Sequence, residues 1–280
     1  MDREARPIFD STIYEYVKSI NAWSEPNEFH LMSYANLDEF KTLYMDLLSD
    51  YKHSKLLGIE RFKNINITEG TTGAFLDWYI TYGINNIYVL VGEYPFHYGN
   101  CIKRVDNIEA LPNDSFLILS LPFSATGNIH TNYNEIIKTC EEKNIGVLLD
   151  CAYINISSIG EVNINSNAIL SVATSLSKIF NTGTSNRIGL QLNLTKPKSP
   201  YQQLNDWQYV NHYSVNLHTK IMKRFGLSYV YDKYRDKQEQ LCNKLNLDVS
   251  DTVIFGLSND EKYKEYARGP TNRLCISRDF

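Results

Sequence analysis

Hydrophobic positions recur along this chain in two rhythms, and the switch between them outlines a fold. Residues 12–21 carry the helical rhythm: Thr12 and Glu15 fit a capping box, and Ile13, Val17 and Ile20 share one face. A second helix is capped by Asn36, with Glu39 three residues later. Phe40, Leu43, Tyr44, Leu47, Leu48 and Tyr51 form its apolar stripe. NINITEG (64–70) reads as a short strand running into a glycine, followed by a helix from Thr72 to about Tyr82 that Gly83 stops.

The second rhythm is continuous. IYVLV (87–91), FLILSL (116–121), IGVLLD (145–150), AILSVA (168–173) and RIGLQL (187–192) are unbroken apolar runs, as expected of strands buried on both faces. NYNEIIKTCEEKN (132–144) is helical through Ile136, Ile137 and Cys140. Strands alternating with helices predict an α/β fold with a mainly parallel sheet covered on both faces. Residues 199–247 are helical, polar and rich in Tyr and Lys. TVIFGL (252–257) and NRLCIS (272–277) are short strands around a small helix at 260–267, so the tail from about 196 reads as a smaller α+β unit.

Composition narrows the class. The chain has 280 residues, enough for one large domain or a large plus a small one. With 43% hydrophobic and 21% charged residues, disorder is not expected. A net charge of −4 leaves no electrostatic footprint for nucleic acid. No apolar run is long enough to span a membrane, and MDREARPIFD lacks the apolar core of a secretory signal. Cys101, Cys140, Cys151, Cys242 and Cys275 are odd in number, widely spaced and without a CxxC pair. They read as reduced thiols of a cytoplasmic protein, with no disulfide framework and no metal site.

Parallel sheets place ligands at the carboxyl ends of their strands. The residues there are Glu69-Gly70-Thr71-Thr72, Tyr94-Pro95-Phe96-His97-Tyr98, Ser124-Ala125-Thr126-Gly127, Asp150-Cys151-Ala152-Tyr153 and Ser175-Leu176-Ser177-Lys178. A hydroxyl-rich turn opening a helix suits phosphate. A carboxylate at a buried strand end needs a cationic partner. A lysine in a Ser-x-Ser-Lys turn becomes a nucleophilic amine if its pKa is lowered. Together these suit pyridoxal 5′-phosphate (PLP), which needs a lysine, a phosphate cup and an acid opposite its ring nitrogen. A nicotinamide-binding reading lacks its Gly-x-Gly-x-x-Gly, and a phosphate-loop NTPase lacks its Gly-Lys-Ser/Thr.

In the order and spacing of these motifs, from about Tyr34 to Arg273, the sequence resembles the fold-type I PLP enzymes. Within them it resembles the class I/II aminotransferases, nearest the branch of histidinol-phosphate aminotransferase and its decarboxylating relatives. SVATSLSKIFNTGTSNRIGLQL (171–192) looks like the family's lysine segment. The resemblance makes Lys178 the Schiff-base lysine and gives Ser175, Ser177 and Arg187 to the phosphate. The step from Lys178 to Arg187 is one residue longer than usual. LLDCAYINI (148–156) is similar to the Asp-x-x-Tyr segment, which implies Asp150 on the pyridine nitrogen and Tyr153 on the ring's phenolic oxygen. EGTTGAF (69–75) resembles the phosphate-receiving turn, with Gly70, Thr71 and Thr72. LPFSATGN (121–128) resembles the Asn-Pro-Thr-Gly turn, with Ser124 in place of the asparagine that donates to the ring oxygen. The ring-stacking residue falls in EYPFHYG (93–99), where spacing favours His97 and local match favours Tyr94. SYANLDEF (33–40) resembles the segment that sends a tyrosine, here Tyr34, into the neighbouring subunit's site. NRLCIS resembles the strand whose arginine, here Arg273, grips a substrate α-carboxylate.

The resemblance implies a type I PLP-transferase fold, with a large parallel-sheet domain and a reduced α+β small domain. Residues 1–35 would form an N-terminal segment or dimer arm, 36–195 the PLP-binding domain and 196–280 the small domain. It implies a homodimer that moves an amino group between an amino acid and a 2-oxo acid. Decarboxylation or lyase chemistry stays open on the same scaffold, as does a non-catalytic, aminotransferase-like binding protein. Relatives of this kind are usually longer, so a trimmed lid and a more open site are expected. The sequence offers no obvious cationic cluster for a second anionic group of the substrate.

Overall fold

A computed structural model describes residues 1–21, 33–183 and 185–280. The first helix, α1 (Ser11–Asn21), begins where expected, but its cap differs. The Asp10 carboxylate, and not Thr12, accepts from the Ile13 N–H at 2.9 Å. Asp10 is buried and held there by the Lys233 ammonium at 2.6 Å and the Tyr234 hydroxyl at 2.8 Å. Helix α2 (Leu37–Ser49) keeps its predicted cap: Asn36 Oδ1 accepts from the Glu39 N–H at 3.1 Å, and Phe40, Tyr44 and Leu48 are buried.

The remaining elements follow in chain order. They are β1 (Ser54–Leu57), β2 (Asn64–Thr68), α3 (Thr71–Tyr82), β3 (Ile87–Leu90), α4 (Pro95–Gly99), β4 (Lys103–Val105), β5 (Phe116–Ser120), α5 (Tyr133–Glu142), β6 (Gly146–Cys151), β7 (Gly160–Asn163), β8 (Ile169–Thr174) and β9 (Gly189–Asn193). Seven strands build the central sheet in the order β2-β9-β8-β6-β5-β3-β4. The pairs β3–β4, β3–β5, β5–β6 and β6–β8 are parallel, whereas β9 runs antiparallel to both β8 and β2. The unbroken apolar runs are explained by the two cores. Leu117, Leu119, Val147 and Leu149 face the larger one. Ile118, Leu148 and Ala173 face the smaller, against Phe75, Trp78 and Tyr79 of α3. Strands β1 and β7 pair in a separate two-stranded parallel sheet.

The tail continues with α6 (Pro200–Asp206), α7 (His212–Phe225), α8 (Tyr229–Leu245), β10 (Asp248–Val249), β11 (Phe255–Ser258), β12 (Ala267–Arg268) and β13 (Thr271–Cys275). Its four strands form an antiparallel sheet ordered β10-β11-β13-β12, and the expected small helix is a 3₁₀ helix over Glu261–Tyr266. The buried Gln238 of α8 donates from Nε2 to the carbonyls of Ser250, Thr252 and Phe255 at 2.9, 3.0 and 2.7 Å. Ser250 and Thr252 in turn donate to the carbonyls of Thr126 and Gly127 at 2.7 and 2.6 Å. The tail thereby clamps the turn that carries Ser124. All five cysteines are unpaired. Among the described residues no helix is long and apolar enough to cross a membrane, and no metal-ligating cluster occurs.

Candidate active site

The carboxyl ends of β2, β5, β6 and β8 converge, and chain segments far apart in sequence meet there. Gly70 closes β2 with φ +69°. A Cβ built on it would stand 2.9 Å from Ser175 Oγ and 3.6 Å from Ser177 Oγ, so the missing side chain leaves a cradle against that turn. Gly189 on β9 allows the same approach from the other side: a Cβ there would lie 2.0 Å from the Thr174 carbonyl and 2.9 Å from Gly70 Cα. Arg187 reaches across and donates from Nη2 to Thr72 Oγ1 at 2.9 Å. Ser175 Oγ accepts from the Ser177 N–H at 3.2 Å, while Ser177 Oγ is buried with no partner. Gly70, Thr71, Thr72, Ser175, Ser177 and Arg187 thus form one hydroxyl- and guanidinium-rich cup at the start of α3.

Lys178 follows directly. Its Nζ donates to the Ala5 carbonyl at 2.6 Å. Burial, with the Arg187 and Arg273 charges nearby, pushes its ammonium down to about 8, and Asp150 opposes this. A cavity of about 630 Å³ opens on this side, bounded by Arg6, Ser177, Lys178, Arg187, Thr182 and Phe280 among others. Arg6, Pro7 and Phe9 form one wall, and the segment before them is held by Asp2 and Cys275, which exchange main-chain hydrogen bonds at 2.8 Å in both directions.

Asp150 is the last residue but one of β6 and is 6% exposed. Burial pushes its carboxyl up to about 7. The Ala152 N–H at 3.1 Å, the Thr71 hydroxyl and the Lys178 charge work in the opposite direction. Tyr153 is buried nearby, and burial raises its phenol against the pull of the Arg273 and Arg268 charges. Ser124 is buried too. Its Oγ has no partner, and its carbonyl accepts from the Arg273 guanidinium.

Arg273 is 1% exposed, lies 4.2 Å over the Phe255 ring and donates from Nη2 to the Arg3 carbonyl at 3.4 Å. Its Nε is unpartnered. Beside it stands Arg268, whose Nη1 is buried without a partner and whose guanidinium burial and Arg273 push down to about 10. The arginine ion pairs among the described residues are those of Arg6, Arg235 and Arg278, so neither Arg268 nor Arg273 has one. The expectation of no cationic cluster is therefore corrected. Arg268 and Arg273 become neighbours because β12 folds back on β13 through the tight Gly269-Pro270 turn.

The two stacking candidates part company. His97 is fully buried, its Nδ1 is 2.6 Å from the Tyr79 hydroxyl, and its ring is edge-on to Phe75 at 4.7 Å. Burial pushes it down to about 3, so it is neutral. Tyr94 is 40% exposed at the start of α4 and lies nearly parallel to Phe96. Tyr34 is 88% exposed and edge-on to His212, outside the site of its own chain. Glu93, fully buried beside the site, is a residue that sequence reasoning missed: an acid in an aromatic loop carries no signal of burial.

The architecture is the type I fold of PLP-dependent transferases. Solved structures that share it include the aromatic aminotransferase of Pyrococcus horikoshii, with a TM-score of 0.68 at 15% identity over 98% of this chain and 90% of that one. An aminotransferase from Staphylococcus aureus gives 0.66 at 14% identity over 99% and 89%. The PLP-bound C-S lyase of Staphylococcus hominis gives 0.63 at 10% identity over 91% and 75%. No protein-family model and no curated protein matches the sequence. At these identities the likeness is one of fold.

Proposed function

We propose that the protein is a PLP-dependent aminotransferase acting on an amino acid, with Lys178 as the cofactor-binding lysine. The observation that carries this reading is the meeting, at one end of the central sheet, of the half-buried Lys178, its amine pushed down to about 8, with the buried acid Asp150 and the Gly70–Ser175–Arg187 cup. The cofactor fits the residues present. The Gly70 cradle and the orphaned Ser177 Oγ suit a phosphate, and the orphaned Ser124 Oγ suits a ring oxygen. When bound, PLP supplies an electron sink that weakens the bonds to a substrate's α-carbon.

The chain's own groups divide the work. Gly70, Thr71, Thr72, Ser175, Ser177 and Arg187 would hold the phosphate. Asp150 would face the ring nitrogen as an anion, and Tyr153, with the shorter Ser124, would face the phenolic oxygen. The exposure of Tyr94, against the engaged ring of His97, favours Tyr94 for stacking. Lys178 Nζ takes the substrate's α-proton, which its lowered pKa suits near neutral pH. Arg273 grips the α-carboxylate. The unpaired Arg268 beside it favours a substrate with a second anionic group, because a buried guanidinium nitrogen without an acceptor is costly. Tyr34 would serve the site of a second copy in a homodimer, and the exposed Ile80, Trp207 and Tyr209 suit such an interface. Five unpaired thiols suit the cytoplasm.

A panel of amino acids, each given to the PLP-loaded protein together with a 2-oxo acid that accepts the amino group, tests the reading. Amino transfer yields a 2-oxo acid without CO₂ or ammonia, acidic amino acids lead the panel, and Arg273→Leu raises KM about 100-fold. Release of CO₂ or ammonia instead would assign the decarboxylase or lyase reading. Bound cofactor with no turnover of any amino acid would assign the non-catalytic one.

A further inference from the structure

Glu93 lies in the loop after β3 and is fully buried. Ser120 supplies two of its carboxyl partners, and the Tyr94 main-chain N–H is a third. The Ser120 N–H donates to Oε1 at 2.7 Å, and the Ser120 hydroxyl is in hydrogen-bond contact with Oε2. Ser120 is the last residue of β5 and pairs across the parallel ladder with Asp150. The Glu93 carboxyl is therefore held on the residue that is the ladder neighbour of Asp150. Of the titratable groups around Glu93, Asp150 faces it from β6 and Tyr98 from α4. Among the described residues no cation pairs with it.

Two buried carboxyls on neighbouring strand ends, where the charge of Asp150 acts on Glu93, do not both ionise without large cost. Their surroundings differ. Asp150 has the Ala152 N–H, the Thr71 hydroxyl and the Lys178 charge to support an anion. Glu93 has the Ser120 N–H and hydroxyl and the Tyr94 N–H but no cation, and burial, with the Asp150 charge adding to it, pushes its carboxyl up to about 8. A neutral carboxylic acid satisfies both contacts with Ser120: Oε1 accepts the N–H and the acid O–H donates to Oγ.

We infer that Glu93 is a positioning residue for Asp150, a neutral carboxylic acid clamped on Ser120 that fixes the end of β5 and leaves the single negative charge of the pair on Asp150. The role rests on the reading of Asp150 as the partner of the cofactor's ring nitrogen. Glutamine reproduces the neutral acid, since its carbonyl accepts and its amide N–H donates, whereas leucine fills the space and does neither.

Two measurements on the full chain test it. Infrared difference spectra of the cofactor-free protein at pH 7, wild type against Glu93→Gln, should lose the carbonyl stretch of a protonated carboxyl. Loss of carboxylate bands instead would overturn the neutral acid. Titration with PLP should show Glu93→Gln binding within about twofold of wild type and Glu93→Leu at least about tenfold more weakly, since a buried N–H and hydroxyl lose their acceptor. Tenfold weaker binding by Glu93→Gln, or wild-type binding by a cooperatively folding Glu93→Leu, would overturn the role. A wild type that binds no PLP would overturn the reading of Asp150 itself, and the infrared result would still decide the state of Glu93.

Discussion

Lys178→Ala is expected to turn over the amino-acid substrate about 10⁴-fold more slowly or worse, because it removes both the covalent attachment point and the base that moves the α-proton. Thermal melting should change little. The variant loses one hydrogen bond to the Ala5 carbonyl, and it also removes a positive charge from beside Arg187 and Arg273. The loss should fall on kcat, since the substrate's carboxylate grip at Arg273 is untouched. The same lysine sets a pH dependence for the cofactor-free protein. Only a neutral amine attacks an aldehyde, so the rate of PLP uptake should climb with pH and level off above about 8. Stopped-flow absorbance across pH 6 to 10 reads this. An ordinary lysine would still be climbing at the top of that range.

Asp150→Asn should separate stability from function. The Asp150 carboxyl is raised to about 7 in the folded chain from an ordinary value of 3.8. Between these two values the folded protein holds a proton that the unfolded chain has released. Stability contributed by this group is therefore whole below about pH 4, falls as pH rises through the window and stays reduced above about 7. Asparagine does not titrate, so the cofactor-free variant should be more stable than wild type at pH 8, by roughly 2–4 kcal/mol. The difference should vanish near pH 4. Loaded protein should behave oppositely, with PLP affinity down and turnover reduced about 10²-fold or more, because the ring nitrogen loses its anion. Urea melts at the two pH values, with and without PLP, check both halves.

What was legible in the sequence, and what was not, has physical reasons. Strands β5 and β6 were plain because the sheet is buried on both faces, which makes their runs apolar without a break. Helix α2 was plain because its cap and stripe are local. Strand β4, Lys-Arg-Val on the sheet edge, and the short pair β1 and β7 carry too few apolar residues to stand out. The cap of α1 was misassigned because Asp10 draws its support from Lys233 and Tyr234 of α8, more than 200 residues away. In the site, motif order points to Gly70, Ser175 and Arg187 from the sequence, whereas the contacts around them come from the fold. Arg268 and Glu93 had no such signal. One depends on how a four-residue turn folds β12 onto β13, the other on a single hydrogen-bonding serine across the sheet.

Lys178 is the residue expected to carry the cofactor. The decisive measurement mixes the wild-type protein with PLP, reduces it with borohydride and locates the added mass by peptide mass spectrometry. A visible absorbance band, and after reduction a pyridoxyl group on the peptide containing Lys178 and on no other, is the predicted result. A protein that stays colourless, or one that carries the label on surface lysines while Lys178 stays free, would contradict the account.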